Sequence, residues 1–399
     1  MNHSAFLLQI LFLSAFLVVS CTDDNDIPDP DPNGNGTSPA GFAMGVDLSY
    51  VNQIEDHGGI YRENGVQVDP FEVLQKHGAN AVRVRLWHNP DWVYDLYNHD
   101  VPLYSGYEDV EKTIRRAKNA GMNVMLNFHY SDVWADPGRQ DVPMAWQNIT
   151  DIHVLADSVF NYTYDVLGRL YAEGLLPEIV QIGNETNCGM MYTNAPSGFP
   201  ALNVCQGNWQ NFGIVANAAI NAVREMDAVA GQETTIALHV ADPNNLGWWL
   251  GDVINKGQVT DFDVMGFSFY HIWHTSVAYN AIPALVENLK NTYNRDFMLL
   301  ETAYPFTTAN NDNYPNIYYN QPPLPGFPYS VEGQRDFMID ITRKMMDAGA
   351  IGVFYWEPAW ITSGMNDLWG VGSSWENCAF FNFSGNLTDV VEYFTWDYD

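Results

Sequence analysis

EDVEKTIRRAKNAGMNVMLNFHY, residues 108–130, contains the turn of chain that decides the fold. Its first half places Val110, Ile114 and Ala117 at helical spacing, one apolar face among charges. Gly121 stands where such a helix needs a left-handed residue to stop. Beyond it, Asn123–Tyr130 is a nearly continuous apolar run, the mark of a strand buried on both faces. The same punctuation recurs at Lys76-His77-Gly78-Ala79-Asn80 and at Asp347-Ala348-Gly349-Ala350. Working outward, further strand-like runs lie at Ala43–Ser49, Ala81–Trp87, Ile179–Glu185, Thr234–Val240, Val264–Tyr270, Met298–Tyr304 and Ile351–Glu357, with helix-like stretches between them. Eight strand-then-helix units predict an α/β fold, a single (β/α)8 (TIM) barrel over residues 41–399 with enlarged βα loops. A doubly wound sheet is the alternative, but a Gly-rich phosphate turn after the first strand is missing.

Residues 1–20 read differently. AFLLQILFLSAFLVV, residues 5–19, is an apolar run of signal-peptide length, shorter than a membrane span needs. It ends in Val18-Val19-Ser20-Cys21, which resembles a bacterial lipoprotein box, with Cys21 as the lipidated residue, although no Lys or Arg precedes the run. The acidic residues after Cys21 resemble the tag that sends some lipoproteins to the outer surface. The expectation is an exported protein, lipid-anchored at the bacterial outer membrane. Residues 21–40, rich in Asp, Pro, Asn and Gly, are a solvated spacer. An oxidising compartment would favour a Cys188–Cys205 bridge, and Cys378 is expected as a buried thiol.

Charge narrows the partners. The 399 residues carry 17 Lys and Arg against 48 Asp and Glu, a formal charge of −31, so a nucleic-acid backbone or other polyanion is excluded. Neutral partners remain, and 13 Trp and 22 Tyr suit the faces of sugar rings.

In a barrel, chemistry sits where strands end. Those ends read Asp47, then Arg85-Leu86-Trp87-His88, then His129 to Asp132, then Asn184-Glu185, His239, Tyr270, Glu301 and Trp356-Glu357. Buried strands have no structural reason to finish repeatedly in such groups. Glu185 and Glu301 close the fourth and seventh strands, on opposite sides of the barrel mouth, and can face one another as the two carboxyls of glycoside hydrolysis. Asn184 is placed to meet a substrate hydroxyl. Arg85 is expected to keep a nearby carboxylate ionised. Trp87, Trp134, Trp273, Trp360 and Trp375 stand beyond strand ends, either as stacking platforms or as seals of the barrel top.

Several runs resemble the endo-β-1,4-galactanases, glycoside hydrolase family 53: Gly45-Val46-Asp47, Asn127 to Gly138 (NFHYSDVWADPG), Gln181 to Thr186 (QIGNET), Glu301 to Tyr304 (ETAY) and Phe354 to Trp360 (FYWEPAW). The resemblance spans nearly all of residues 41–390. It implies an enzyme that cuts within neutral β-1,4-galactan with retained configuration and needs no cofactor for chemistry; a monomer is expected. Glu185 corresponds to the acid/base and Glu301 to the nucleophile. Asp47, Arg85, Trp87, His129, Asp132, Trp134, Asn184, His239, Tyr270, Trp273, Trp356 and Trp360 are expected at the substrate. The resemblance also implies a cis Trp356–Glu357 bond. After Glu301, oxygen-bearing residues alternate at Asn310, Asp312, Tyr314 and Asn316, which is read as a structural calcium loop or as a plain turn-rich loop. Loops 190–209 and 307–331 are expected to set product length. Within the same clan, other retaining endo-β-1,4-glycanases share the two glutamates, and a non-catalytic glycan-binding surface lipoprotein is the remaining alternative.

Overall fold

A computed structural model describes residues 41–398. The expected signal, Cys21 and spacer lie in residues 1–40, outside the described residues. Eight parallel strands close into one barrel: β1 Ala43–Asp47, β2 Ala81–Leu86, β3 Asn123–Phe128, β4 Ile179–Ile182, β5 Thr235–Ala241, β6 Val264–Ser268, β7 Asp296–Thr302 and β8 Gly352–Tyr355. Each pairs with its neighbours in chain order, and β8 pairs with β1. All eight expected strands are present. Their carboxyl ends fall short where the chain turns up out of the ladder, with β4 stopping at Ile182 and β6 at Ser268.

The stretch over residues 108–130 folds as read. A helix over Tyr107–Asn119 buries Val110, Ile114 and Ala117, and Gly121 comes just after it at φ 80°. The Gly121 N–H donates to Lys118 O and the Met122 N–H to Ala117 O, both at 3.0 Å. Carbonyls at the helix end are thereby satisfied before β3 begins.

The eighth unit corrects the expectation. After β8 the described chain forms short 3₁₀ turns, Glu376–Cys378 and Asp389–Thr395, where an eighth α-helix was expected. The final turn is held to the preceding helix, Val331–Asp347, by Arg335 Nη1 on Glu392 Oε2 at 2.9 Å. Pro358, Gly364, Gly370 and Gly372 interrupt any helical run in between.

Alternation along the strands sorts their side chains into two shells. Outward residues such as Val82, Val84 and Leu126 pack under the helices. Inward, Ala81, Met125, Ile179, Ala237, Val264, Met298, Leu300 and Phe354 form a separate apolar plug. One step further along the same faces the barrel becomes polar, with Asp47, Arg83, Asn127, Gln181, His239 and Ser268 all buried. The active centre rests on this layer.

Candidate active site

Two backbone irregularities aim the two glutamates. At the end of β4, Gly183 (φ 74°) and Glu185 (φ 46°) both take the left-handed region. A Cβ on Gly183 would stand 2.6 Å from Thr186 Cγ2, so the turn needs glycine. A non-glycine residue at positive φ is strained, and such strain collects at functional sites. In β7 the register slips by one residue against both neighbours: Phe267 faces Leu299 but Ser268 faces Glu301, and Val353 faces Leu299 but Tyr355 faces Thr302. Met298 and Leu300 point into the plug, so unbroken alternation would turn Glu301 outward. The bulge turns it inward instead.

A carboxylate oxygen of Glu185 and one of Glu301 lie within 4.8 Å of one another. Retaining glycosidases hold their carboxyls about 5–5.5 Å apart, and inverting ones leave several ångströms more for water. The separation predicts retention.

Their surroundings separate their roles. Arg83 Nη1 sits 2.9 Å from Glu301 Oε1 and 3.0 Å from Asp47 Oδ2. The Tyr270 hydroxyl donates to Glu301 Oε2 at 3.0 Å. Burial pushes the Glu301 carboxyl up, and the Arg83 charge and the Tyr270 hydrogen bond pull it back. Burial pushes Glu185 well above the usual carboxylate range, and the Glu301 charge adds to it. Among the described residues no cation pairs with Glu185 directly, so the proton shared by the two carboxyls resides there. The sequence expectation for Arg85 thus belongs to Arg83. Arg83 also donates from Nη2 to Asn184 Oδ1 at 2.7 Å and from Nε to Gln181 Oε1 at 3.0 Å. Asn184 gives one amide hydrogen to Ala135 O at 2.8 Å and has a second for substrate.

Glu185 is held from below. The Glu185 N–H (3.3 Å) and the Gln181 amide (3.1 Å) both donate to His239 Nδ1, which assigns the ring proton to Nε2. That Nε2–H donates to Ser268 Oγ at 3.0 Å, and the Ser268 hydroxyl donates to Glu185 Oε1 at 2.5 Å. Burial and the Arg83 charge keep His239 neutral. This relay occupies Oε1 and leaves Oε2 to carry the acidic proton. His239 therefore acts through Ser268, beneath the substrate surface. Replacing Ser268 with alanine is expected to lower kcat/KM on polysaccharide roughly tenfold to a hundredfold. Cleavage of a dinitrophenyl glycoside, which needs no protonation, should be nearly unchanged. Equal losses on both substrates would show a merely structural serine.

Arg85 has another task. Its Nη1 pairs with Glu357 Oε1 at 2.7 Å, and its guanidinium lies among the Tyr50, Trp87 and Trp134 rings at 3.8, 4.9 and 4.2 Å from their centroids. Burial pushes Glu357 up to about 8 against the pull of Arg85. This cage lies under an aromatic floor in which Trp356 meets Trp134, Trp360 and Trp375 at 5.7, 6.1 and 4.8 Å. The expected cis Trp356–Glu357 bond is absent, since the described residues contain no cis peptide. The chain turns there through a left-handed Glu357, φ 50°, which carries its carboxyl to Arg85.

The cleft, about 720 Å³, is lined by Trp134, Asn184, Glu185, Tyr270, Trp273, Glu301, Trp356 and Trp360, as expected, and by Trp375. Other expected residues serve from beneath. Trp87 and Asp47 are fully buried, and His129 accepts the Ala135 N–H at 3.1 Å, fixing the loop that carries Trp134. Asp132 accepts backbone N–H groups of Asn89 and Met144 at 3.0 and 2.7 Å and lines a different groove. Sequence reasoning missed Asp136, Arg139, Asp367 and Trp369 as lining residues. Asp136, Arg139 and the expected Trp134 share one loop, and that closeness along the chain was a signal. Of the loops expected to set product length, 307–331 contributes Tyr314, Pro315 and Ile317 to the cleft. The segment 190–209 does not line it. The Cys188–Cys205 disulfide closes the base of that segment, and Cys378 is a buried thiol.

The four expected calcium ligands do not fit a calcium ion. Asp312 supplies their one carboxylate, and its oxygens accept the Tyr314 and Ser373 N–H groups at 2.7 and 2.8 Å. Asn310 Oδ1 accepts the Asn316 N–H at 3.0 Å, and the Tyr314 hydroxyl donates to Asp367 at 3.1 Å. Only Asn316 Oδ1 of this set is buried without a partner. Calcium takes about 6–8 oxygen ligands, and here the Asp312 carboxylate and Asn310 Oδ1 are already turned onto N–H donors while the Tyr314 hydroxyl is spent on Asp367. Glu185, His239 and Glu301 cluster closely enough for a metal, but Arg83 already supplies the positive charge and both His239 nitrogens are engaged.

Residues 43–394 match the profile of glycosyl hydrolase family 53. An arabinogalactan endo-beta-1,4-galactanase of Cellvibrio japonicus (strain Ueda107) is 41% identical over 361 residues, 90% of this chain and 91% of that one. The GH53 catalytic domain of Ignisphaera aggregans superposes with a TM-score of 0.78 at 32% identity, covering 88% of this chain and 95% of its own. A structure from work on two fungal beta-1,4-galactanases gives 0.72 at 30% identity, covering 88% and 98%.

Proposed function

The chain belongs to glycosyl hydrolase family 53, and from that premise we propose how its cleft hydrolyses internal β-1,4-galactosidic bonds and where the enzyme is held. One observation carries the mechanism: two carboxyls within 4.8 Å, one braced by Arg83 and Tyr270 and the other backed only by a serine. Glu301, kept ionised, attacks C1 as the C1–O4 bond breaks, and Glu185 gives its proton to the departing O4. Charge has then left Glu301, the penalty on ionising Glu185 falls, and Glu185 becomes the base. It takes a proton from water, the water oxygen attacks C1, and Glu301 departs as a carboxylate. Two inversions give net retention. The Asn184 amide meets a hydroxyl beside the anomeric carbon. The Trp356 floor takes the apolar face of a galactosyl ring.

The substrate is a neutral glycan, the galactan or arabinogalactan side chain of pectin. A protein of charge −31 is repelled by bare polygalacturonate but not by such side chains. Both catalytic groups and the cleft lining are carried by a single chain, so the monomer we propose needs no second copy for its chemistry. The apolar run of residues 5–19 and Cys21 support export and a lipid anchor at the bacterial outer membrane, with the spacer holding the barrel clear of the surface.

The test is reducing-end release from linear β-1,4-galactan, with xylan, mannan and β-glucan in parallel. Activity on galactan alone is the expected result. Activity on another glycan instead would keep the mechanism and discard the substrate, and binding without release would favour a capture protein. For the anchor, Cys21→Ala expressed in a Gram-negative host should release galactanase activity from the membrane fraction, and retention there would refute lipidation.

A further inference from the structure

A second groove lies beside the catalytic cleft, on the far side of Arg139. It is about 500 Å³ in volume, and its walls include Asp132, Arg139, Asp141, Met144, Leu368 and Trp369. Arg139 and Trp369 also line the cleft, so the two spaces adjoin and share these two residues as a wall.

Three observations give this groove the chemistry of a sugar site. First, the Arg139 guanidinium lies over the Trp369 ring, 5.0 Å from its centroid, and makes no hydrogen bond or ion pair among the described residues. Every other arginine among them makes at least one. In a chain with 48 carboxylates such an unpaired guanidinium keeps its donors for something else. Second, three large apolar side chains that line the groove are exposed: Met144 is 72% exposed, Trp369 47% and Leu368 45%. Third, the same groove holds an acceptor. Asp141 uses Oδ1 for the Thr193 hydroxyl and the Asn194 amide, leaving Oδ2 free of a hydrogen-bond partner. Donor, acceptor and an apolar face in one groove match a pyranose or furanose ring. Asp132 and Asp141 line the same groove and Asp136 the adjoining cleft, so a carboxylated ligand meets like charge there and a neutral sugar is favoured.

We propose that this groove is an accessory subsite that holds a neutral sugar of the glycan seated in the cleft, with Arg139 and Asp141 engaging its hydroxyls. The proposal rests on the galactanase reading. That sugar is either a galactosyl unit further along the main chain or a pendant pentosyl branch. Either source offers neighbouring hydroxyls and an apolar ring face, and Trp369, which lines both spaces, places the groove beside the seated glycan.

The test uses the full-length enzyme and two substrate arms, linear galacto-oligosaccharides of increasing length and arabinose-branched galactan. Met144→Trp, at an exposed position outside the cleft, fills the groove with little consequence for folding. It should leave kcat/KM on the shortest cleavable oligosaccharide unchanged and lower it about tenfold on the arm that reaches the groove, the scale of one lost stacking and hydrogen-bonding contact. Arg139→Ala should weaken the same arm by a similar factor, mostly through KM. Loss beyond a threshold length assigns a main-chain galactosyl unit, and loss on branched substrate alone assigns the pendant sugar. Wild-type rates on both arms in both variants, or equal losses at every length, would overturn the subsite. A wild type that leaves galactan uncut but cleaves another glycan would overturn the substrate reading and this proposal with it.

Discussion

Glu301→Gln will bind galacto-oligosaccharides and fail to cleave them. A glutamine cannot form the glycosyl-enzyme, and the loss in kcat on galactan is expected at roughly four to six orders of magnitude, or about 5–8 kcal/mol of transition-state stabilisation. Folding should not suffer. Arg83 keeps Asp47 as its partner at 3.0 Å, so no buried cation is abandoned. The folded state holds the Glu301 carboxyl above its usual range, chiefly through burial. Such a group favours the protonated form in the folded protein, and its contribution to stability falls as pH rises from the ordinary carboxylate value through the raised one. Removing the charge lifts that penalty, so Glu301→Gln should melt at or above the wild-type temperature near neutral pH. Mass spectrometry with a 2-fluoro galactosyl substrate should label the wild type at Glu301. A label on another residue would sink the assignment, as would a variant retaining more than about one hundredth of wild-type activity.

Glu185→Gln separates the two chemical steps. With galactan, whose leaving group is a sugar hydroxyl, loss of the acid is expected to cost roughly 10²–10⁴-fold or more. With a dinitrophenyl galactobioside the first step proceeds without a proton, whereas the second step lacks its base. The variant should then show a burst of dinitrophenol before slow turnover. Azide, an anion needing no base, should restore turnover and give the β-configured galactosyl azide. An α-configured azide would show Glu185 to be the nucleophile. The same shift sets the pH profile. Glu185 is held well above its ordinary value by burial and the Glu301 charge, so the acid form of the wild type persists toward neutral pH and kcat/KM falls on the alkaline side as the proton leaves. That alkaline limb should vanish in Glu185→Gln assayed with the activated substrate. Its survival would mean that another group governs it.

The two glutamates were legible because each closes an apolar strand with a group that has no reason to be buried there. The charge that distinguishes them was not. Arg83 and Arg85 are two residues apart on one strand, and alternation sends both inward. Arg85 is the nearer to the strand end, yet the barrel carries Arg83 to the level of Glu301 and Arg85 to that of Glu357. Ser268 opens the polar strand end Ser268-Phe269-Tyr270-His271, but the sequence assigns it no role. Alternation from Val264 through Gly266 would have placed it inside, beneath Glu185, had the strands been treated as a ring of inward faces. Asp132 and His129 sit in a specific run, and that specificity reflects a loop tied down by hydrogen bonds as much as contact with sugar.

The sequence by itself determined the number and order of the strands, the closure of helices by glycine, the two glutamates that meet at the barrel mouth and the exclusion of polyanionic partners. These are properties of short stretches or of summed charge, written along the chain by periodicity and residue type. Tertiary structure alone decided that a bulge at Leu300 swings Glu301 inward, that Arg83 braces it and that a histidine and a serine hold Glu185. It also decided that, among the described residues, the last unit lacks its helix and the Arg139 guanidinium makes no hydrogen bond or ion pair. Each of those depends on register or proximity between residues far apart in the chain. A shift of one residue reverses which face a side chain takes, and a few ångströms decide which charges meet.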